Sequence, residues 1–247
     1  MGPASWHKEV MKDMINAGVN VFRVNFSHGD YETHRRTIRL VKELNEEFNC
    51  KTAVLADLQG PKLRIGDVED GAIINEGDVL TFTTNKVHGT AKLVYMNYQQ
   101  FPQDVNAGER ILLDDGKLMC EVLETNKKDT VVTKVIQGGP LKSKKGVNLP
   151  NTKVSLPCLT KKDLEDVVVA MEEGVEWIGL SFVRDAADVQ ELRKVINDFG
   201  SFAKIVSKIE KPEAVVDIDN IIDATDAIMV ARGDLGVEIP YSSVPMV

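Results

Sequence analysis

Val19-Asn-Val-Phe-Arg-Val-Asn-Phe26, a helical stretch capped by Asp30 and reaching about Phe48, and Lys51-Thr-Ala-Val-Leu-Ala-Asp57 form one strand, helix, strand repeat. The first run is rich in Val and Phe and apolar on both parities apart from Asn20, Arg23 and Asn25, which predicts a strand covered on both faces. Upstream, Val10, Met11, Met14, Ile15 and Ala17 recur at helical spacing after Ser5, and Gly18 is a plausible stop. Downstream, Trp177 to Phe182, Lys204 to Glu210 and Ala227 to Ala231 read as three more strands separated by helices. Thr160 with Asp163 is close to a capping box, and Pro212 stands where a first helical turn tolerates proline. This alternation predicts parallel strands with right-handed crossovers, hence an α/β sheet or barrel.

Between residues 67 and 149 the rhythm changes to short strands and turns, as in Asp78 to Thr83, Arg110 to Leu113 before Asp114-Asp-Gly116, and Thr130 to Ile136. Period-two alternation bounded by Gly, Asn and Asp predicts a small antiparallel β domain inserted into the α/β unit. Its Lys142, Lys144 and Lys145 read as a solvated charge run without a role.

Composition narrows the function classes. The 247 residues include 38 acidic and 30 basic side chains, a net charge of -8, and are 43% hydrophobic, as expected for a soluble globular protein. Without a surplus of Lys and Arg, broad attraction to nucleic acid or an anionic membrane is not expected, so an anionic ligand must be held locally. No apolar run approaches the ~20 residues that span a bilayer, and Met1 to Lys8 has no signal pattern. Cys50, Cys120 and Cys158 form no paired motif, which predicts a reducing, cytoplasmic setting. His7, His28, His34 and His88 lack ligand spacing, so all four are expected at the surface and no zinc is expected.

Charged residues gather where the strands end. Two-residue spacing puts Arg23, Asn25 and Ser27 on one side, and Lys208 and Glu210 on another, while Asp57 closes its strand and Asp234 follows the last one. Ligand sites of parallel α/β proteins form at the C-terminal ends of strands. Glu210 and Asp234 are hard oxygen donors suited to Mg²⁺, and Arg23 and Lys208 supply positive charge for a phosphate or enolate.

Four motifs carry a family resemblance: Val24-Asn-Phe-Ser-His-Gly29, Asp57-Leu-Gln-Gly-Pro-Lys-Leu-Arg-Ile-Gly66, Ser207-Lys-Ile-Glu210 and Val230-Ala-Arg-Gly-Asp-Leu-Gly-Val-Glu-Ile-Pro240. With them the chain resembles the pyruvate kinases nearly end to end. The resemblance implies an incomplete TIM (β/α)8 barrel, strands two to six of eight, over residues 1–66 and 150–247. A β-barrel-like lid domain over 67–149 would interrupt it. It also implies phosphoryl transfer from phosphoenolpyruvate to ADP, with Glu210 and Asp234 on Mg²⁺ or Mn²⁺, Lys208 neutralising the phosphoryl group, Arg23 gripping the substrate phosphate and Arg64 reaching from the nucleotide side. Ala231, Arg232, Gly233 and Asp234 would cradle the substrate carboxylate. The family's potassium site maps onto Asn25, Ser27, Asp57 and the carbonyl of Leu58. Lys62 stands where potassium-requiring members carry Glu, so no K⁺ requirement is expected.

Relatives begin one barrel strand earlier and run on through further strands, an enolate-side threonine motif and a tetramer-forming domain. The chain therefore reads as an internal fragment, inactive alone, whose complete protein would be a homotetramer. A metal-dependent enolate aldolase barrel and a non-catalytic remnant stay open as alternatives. Replacing Glu210 or Asp234 by Ala is expected to end turnover with little loss of stability, since removing one carboxylate of an anionic pair relieves repulsion.

Overall fold

The computed structural model describes residues 1–247 as two compact units, Met1–Pro61 with Pro157–Ala231, and Lys62–Leu156 with Arg232–Val247. In the first unit the strands Val21–Asn25, Ala53–Asp57, Trp177–Leu180, Lys204–Ile209 and Ala227–Val230 pair side by side in chain order, all parallel. The register sets Asn25 opposite Asp57, Asp57 opposite Gly179, and Leu180 opposite Ser207, so the C-terminal ends lie at one level. Helices Tyr31–Phe48, Lys161–Glu172 and Ala186–Phe199 supply crossovers, and the core joins Phe22, Val24, Ile38, Val41, Ile178 and Ile205.

Local chemistry fixes the helix ends. Asp30 Oδ1 accepts the Thr33 N–H at 2.8 Å, and Thr160 with Asp163 makes a complete capping box. Gly18 ends the helix Lys8–Asn16 with φ +92°, His7 is its N-cap residue, and Ser5 Oγ accepts the Gly2 N–H. The first strand also departs from expectation. Phe22 and Val24 are buried, but Val21 is 47% exposed and Arg23 faces outward with it, so one face alone is covered.

His34 corrects the expectation of four surface histidines: it is buried, with its ring 4.4 Å from the Phe26 ring centroid. It shares the inward stripe of its helix with Thr37, Ile38, Val41 and Leu44. Burial pulls its pKa below the usual range, against the opposing pull of the Asp166 and Asp30 carboxylates. Because the unfolded chain then takes up this proton first, stability should fall as pH drops through the ordinary histidine range near ~6.5. His34→Phe should flatten that slope, measured as urea midpoints between about pH 7.5 and 5.5.

In the second unit every strand lies between Ile73 and Asn148. Six of them form one sheet in the order Val147–Asn148, Arg110–Leu113, Leu118–Thr125, Thr130–Gln137, Val79–Thr83, Leu93–Tyr95, antiparallel except for the last pair. Its separate core includes Leu80, Phe82, Phe101, Ile111 and Val131. Lys145 pairs with Asp114 at 2.8 Å and Lys144 with Asp67 at 3.3 Å, which accounts for much of the basic run. The chain's last segment, helix Arg232–Glu238 and the 3₁₀ turn Tyr241–Met246, belongs to this unit, where Asn148 donates to Glu238 Oε1 at 2.8 Å. No helix is long and apolar enough to cross a membrane.

Candidate active site

At the C-terminal ends of the parallel strands, two cations and two carboxylates interlock. Asp57 closes the second strand and is held on both sides by backbone, its carbonyl accepting the Phe26 N–H at 2.9 Å while the Leu58 N–H donates to Gly179 O at 3.0 Å. Its Oδ2 accepts from Arg23 Nε at 2.7 Å and also pairs with the same guanidinium through Nη2. Its Oδ1 faces Lys208 Nζ at 3.1 Å as an ion pair without hydrogen-bond geometry. Gly179 leaves room for this arrangement, since a Cβ there would come within 3.3 Å of Asp57 Oδ1.

The fourth strand delivers Lys208, with Glu210 immediately past its end. Lys208 Nζ lies 3.0 Å from Glu210 Oε1 and donates to Ser181 Oγ at 2.7 Å. Burial pulls the Lys208 pKa down, but the Glu210 and Asp57 carboxylates more than offset it, leaving the group above its ordinary value and charged at neutral pH. Glu210, only 1% exposed, accepts the Phe182 N–H on Oε2 at 2.8 Å. Ser181 completes the connection by donating to Leu58 O at 2.7 Å.

Arg23, Asp57, Leu58, Lys208 and Glu210 thus come together. Asn25 and Ser27 share the first strand's end, where Asn25 Oδ1 accepts the Ser27 N–H at 2.9 Å. Ala231 continues the fifth strand's pairing, its N–H donating to Ile209 O at 3.2 Å. Lys62, Arg64, Arg232, Gly233 and Asp234 belong to the second unit. There Lys62 is exposed, Arg64 Nη1 donates to Lys144 O at 2.7 Å, and Asp234 is exposed in the first turn of its helix.

Ser181 and Phe182 escaped the sequence reading. Position was the available signal for Ser181, a polar residue directly after a buried strand. Phe182 contributes through its backbone, with φ +56°, a conformation its side chain does not advertise.

No group of three or more His, Cys, Asp or Glu side chains converges as a metal cage. A magnesium ion needs none, since it binds through one or two carboxylates and completes its shell with substrate oxygens and water. Glu210 fits that chemistry as a hard carboxylate at the strand ends, beside the Lys208 ammonium and the Phe182 N–H.

The family model described as pyruvate kinase, barrel domain, matches residues 1–247. The chain belongs to the pyruvate kinase family. It is 41% identical over 251 residues to pyruvate kinase 2 of a Synechocystis species, covering all of this chain and 42% of that protein. It is 42% identical over 250 residues to the pyruvate kinase of Geobacillus stearothermophilus, with 43% of that protein covered, and 41% identical to that of Corynebacterium glutamicum, with 52% covered. The chain therefore spans about half the length of these pyruvate kinases.

Proposed function

We propose that the complete protein carrying this chain transfers the phosphoryl group of phosphoenolpyruvate to ADP, yielding pyruvate and ATP. The observation that carries this reading is the buried Lys208 ammonium, 3.0 Å from Glu210 and 3.1 Å from Asp57 at the strand ends of a pyruvate kinase family chain. Phosphoryl transfer asks little covalent chemistry of a protein. It needs the reacting groups positioned and the moving negative charge neutralised in a site that does not reorganise. Lys208 is fixed by three oxygen partners and so meets the second need without repositioning.

In this reading the five strands are the second to sixth of an eight-stranded barrel, and the β-rich unit is the inserted lid. Arg23 takes the substrate phosphate, and its side chain, 51% exposed, has the access for it. Arg64 serves the nucleotide side, and the turn from Ala231 to Asp234 serves the substrate carboxylate. Glu210 and Asp234 would hold Mg²⁺ or Mn²⁺, which when bound supplies Lewis-acid charge for the enolate and phosphoryl oxygens. The complete protein is a cytoplasmic homotetramer in this reading. An aldolase is disfavoured because the three relatives above, 41–42% identical along the whole chain, are named pyruvate kinases.

The test is a coupled pyruvate assay on the complete protein with Mg²⁺, phosphoenolpyruvate and ADP. A folded protein that produces no pyruvate would sink the proposal.

Lys62 extends the proposal to monovalent ions. A fixed ammonium supplies the unit charge that K⁺ brings to relatives with Glu at this position, and two like charges in one pocket repel. Turnover in a buffer whose sole monovalent cation is bulky and organic should therefore match turnover with K⁺ added. Lys62→Glu should create a K⁺ requirement, seen as activation of about tenfold or more on adding the salt.

A further inference from the structure

Asp163 does more than a helix cap requires. Its carboxylate is fully buried in the first turn of the helix Lys161–Glu172. Oδ2 alone serves the cap, accepting the Thr160 N–H at 2.9 Å and the Thr160 hydroxyl. Oδ1 accepts the N–H of Gly60 at 3.0 Å, a residue 103 positions earlier in the chain. A capping box needs no such second partner.

Gly60 lies three residues beyond Asp57 with φ +67°, and its Cα packs flush against the turn after the third strand. A Cβ at Gly60 would stand 2.8 Å from Phe182 Cδ2, 3.2 Å from Ser181 Cβ and 3.3 Å from Ser181 O. Fixing Gly60 therefore fixes Ser181 and Phe182. These are the two residues that hold the catalytic pair, Ser181 through Lys208 Nζ and Phe182 through Glu210 Oε2. The same short segment holds this turn a second time and reaches one more strand end. Cys158 Sγ donates to Ser181 O at 3.2 Å, and Lys162 Nζ donates to Phe26 O at 2.9 Å while anchored on Asp166 at 2.6 Å.

We propose that Asp163 is a positioning residue that sets the Lys208–Glu210 pair by holding the Gly60 amide against the Ser181–Phe182 turn. Its catalytic consequence rests on the phosphoryl-transfer reading above; its structural consequence does not.

Two variants separate positioning from capping. In Asp163→Asn either amide orientation sets an N–H against a donor, Gly60 or Thr160, that the carboxylate had satisfied. Thr160→Val weakens the cap and leaves Asp163 Oδ1 on Gly60. Native-state hydrogen exchange on the complete protein should show the Gly60 and Phe182 amides exchanging about tenfold faster in Asp163→Asn, and at the parental rate, after correction for global stability, in Thr160→Val. Equal effects of the two variants at Phe182, or no acceleration in either, overturn the proposal. If Asp163→Asn does not fold, Gly60→Ala, which keeps Asp163 and the cap, must accelerate Phe182 exchange; an unchanged rate overturns the proposal. In the complete protein Asp163→Asn should lower kcat about tenfold while Thr160→Val leaves it unchanged. If the parent protein makes no pyruvate, the functional reading fails and the exchange rates still decide the positioning role.

Discussion

Lys208→Met in the complete protein is expected to lower the rate of phosphoryl transfer by about a thousandfold or more, and to cost about 3–5 kcal/mol of stability in the same stroke. The two losses share one cause. Asp57 and Glu210 are each 1% exposed, and the ammonium between them compensates both. Methionine keeps the length of the side chain and removes the charge. Arg23 then remains beside Asp57, and Glu210 loses the Lys208 ammonium. Breaking a buried pair from one side leaves an uncompensated charge, which costs far more than the net worth of the pair. In the reaction the same cation is absent where phosphoryl charge develops. The check is a urea titration beside a coupled pyruvate assay, and a kcat within tenfold of the parent would refute the role given to Lys208. The pH dependence adds a signed test. The folded-state pKa of Lys208 is raised, so its contribution is complete below the unfolded value near ~10.4 and is lost as pH climbs through the higher folded value. The parent should therefore show a steeper alkaline loss of stability than Lys208→Met.

The fold was legible where the signals were local. Strands Ala53–Asp57 and Lys204–Ile209 announce themselves as short apolar runs, and Asp30, Thr160 and Pro212 mark helix starts because the chemistry of a first turn is chosen within four residues. Parallel pairing in chain order then follows from alternation. The exposure of Val21 was not legible, because apolarity on both parities does not say whether a second layer covers the strand. His34 could have been read correctly: it is placed at helical spacing from Ile38 and Val41, and that stripe outweighs its polarity.

The candidate site divides along the same line. Arg23, Asp57, Lys208 and Glu210 were found because charges at the ends of apolar strands stand out against their surroundings. Ser181 carries no charge, and the contribution of Phe182 is a backbone N–H aimed by a left-handed φ. Asp163 was recognised as a cap, which is half of what it does; its second oxygen answers to a residue 103 positions away, and no local pattern encodes that partner.

Glu210→Ala and Asp234→Ala should both abolish Mg²⁺-dependent turnover, yet their stabilities should part company. The sequence alone predicts little destabilisation from either, on the ground that removing one carboxylate relieves repulsion. Burial revises this for Glu210. Its oxygens are engaged by the Lys208 ammonium at 3.0 Å and the Phe182 N–H at 2.8 Å, so removing them takes one of the two carboxylates from Lys208, which keeps Asp57, and orphans a buried backbone donor. The expected cost is about 2–4 kcal/mol. Asp234 stands exposed in the first turn of Arg232–Glu238, where an acidic side chain gains a modest benefit from the helix dipole, and its removal should shift stability by about 0.5 kcal/mol or less. Glu210→Gln sharpens the comparison, since its amide oxygen can still accept the Phe182 N–H while the charge opposite Lys208 is gone. It should fall between the parent and Glu210→Ala in stability and remain inactive. Thermal melts and Mg²⁺ titrations of the three variants in the complete protein decide the matter. Equal melts for Glu210→Ala and Asp234→Ala would show that the Lys208–Glu210 contact carries no stability. Unchanged Mg²⁺ affinity in either Ala variant would remove that residue from the metal site.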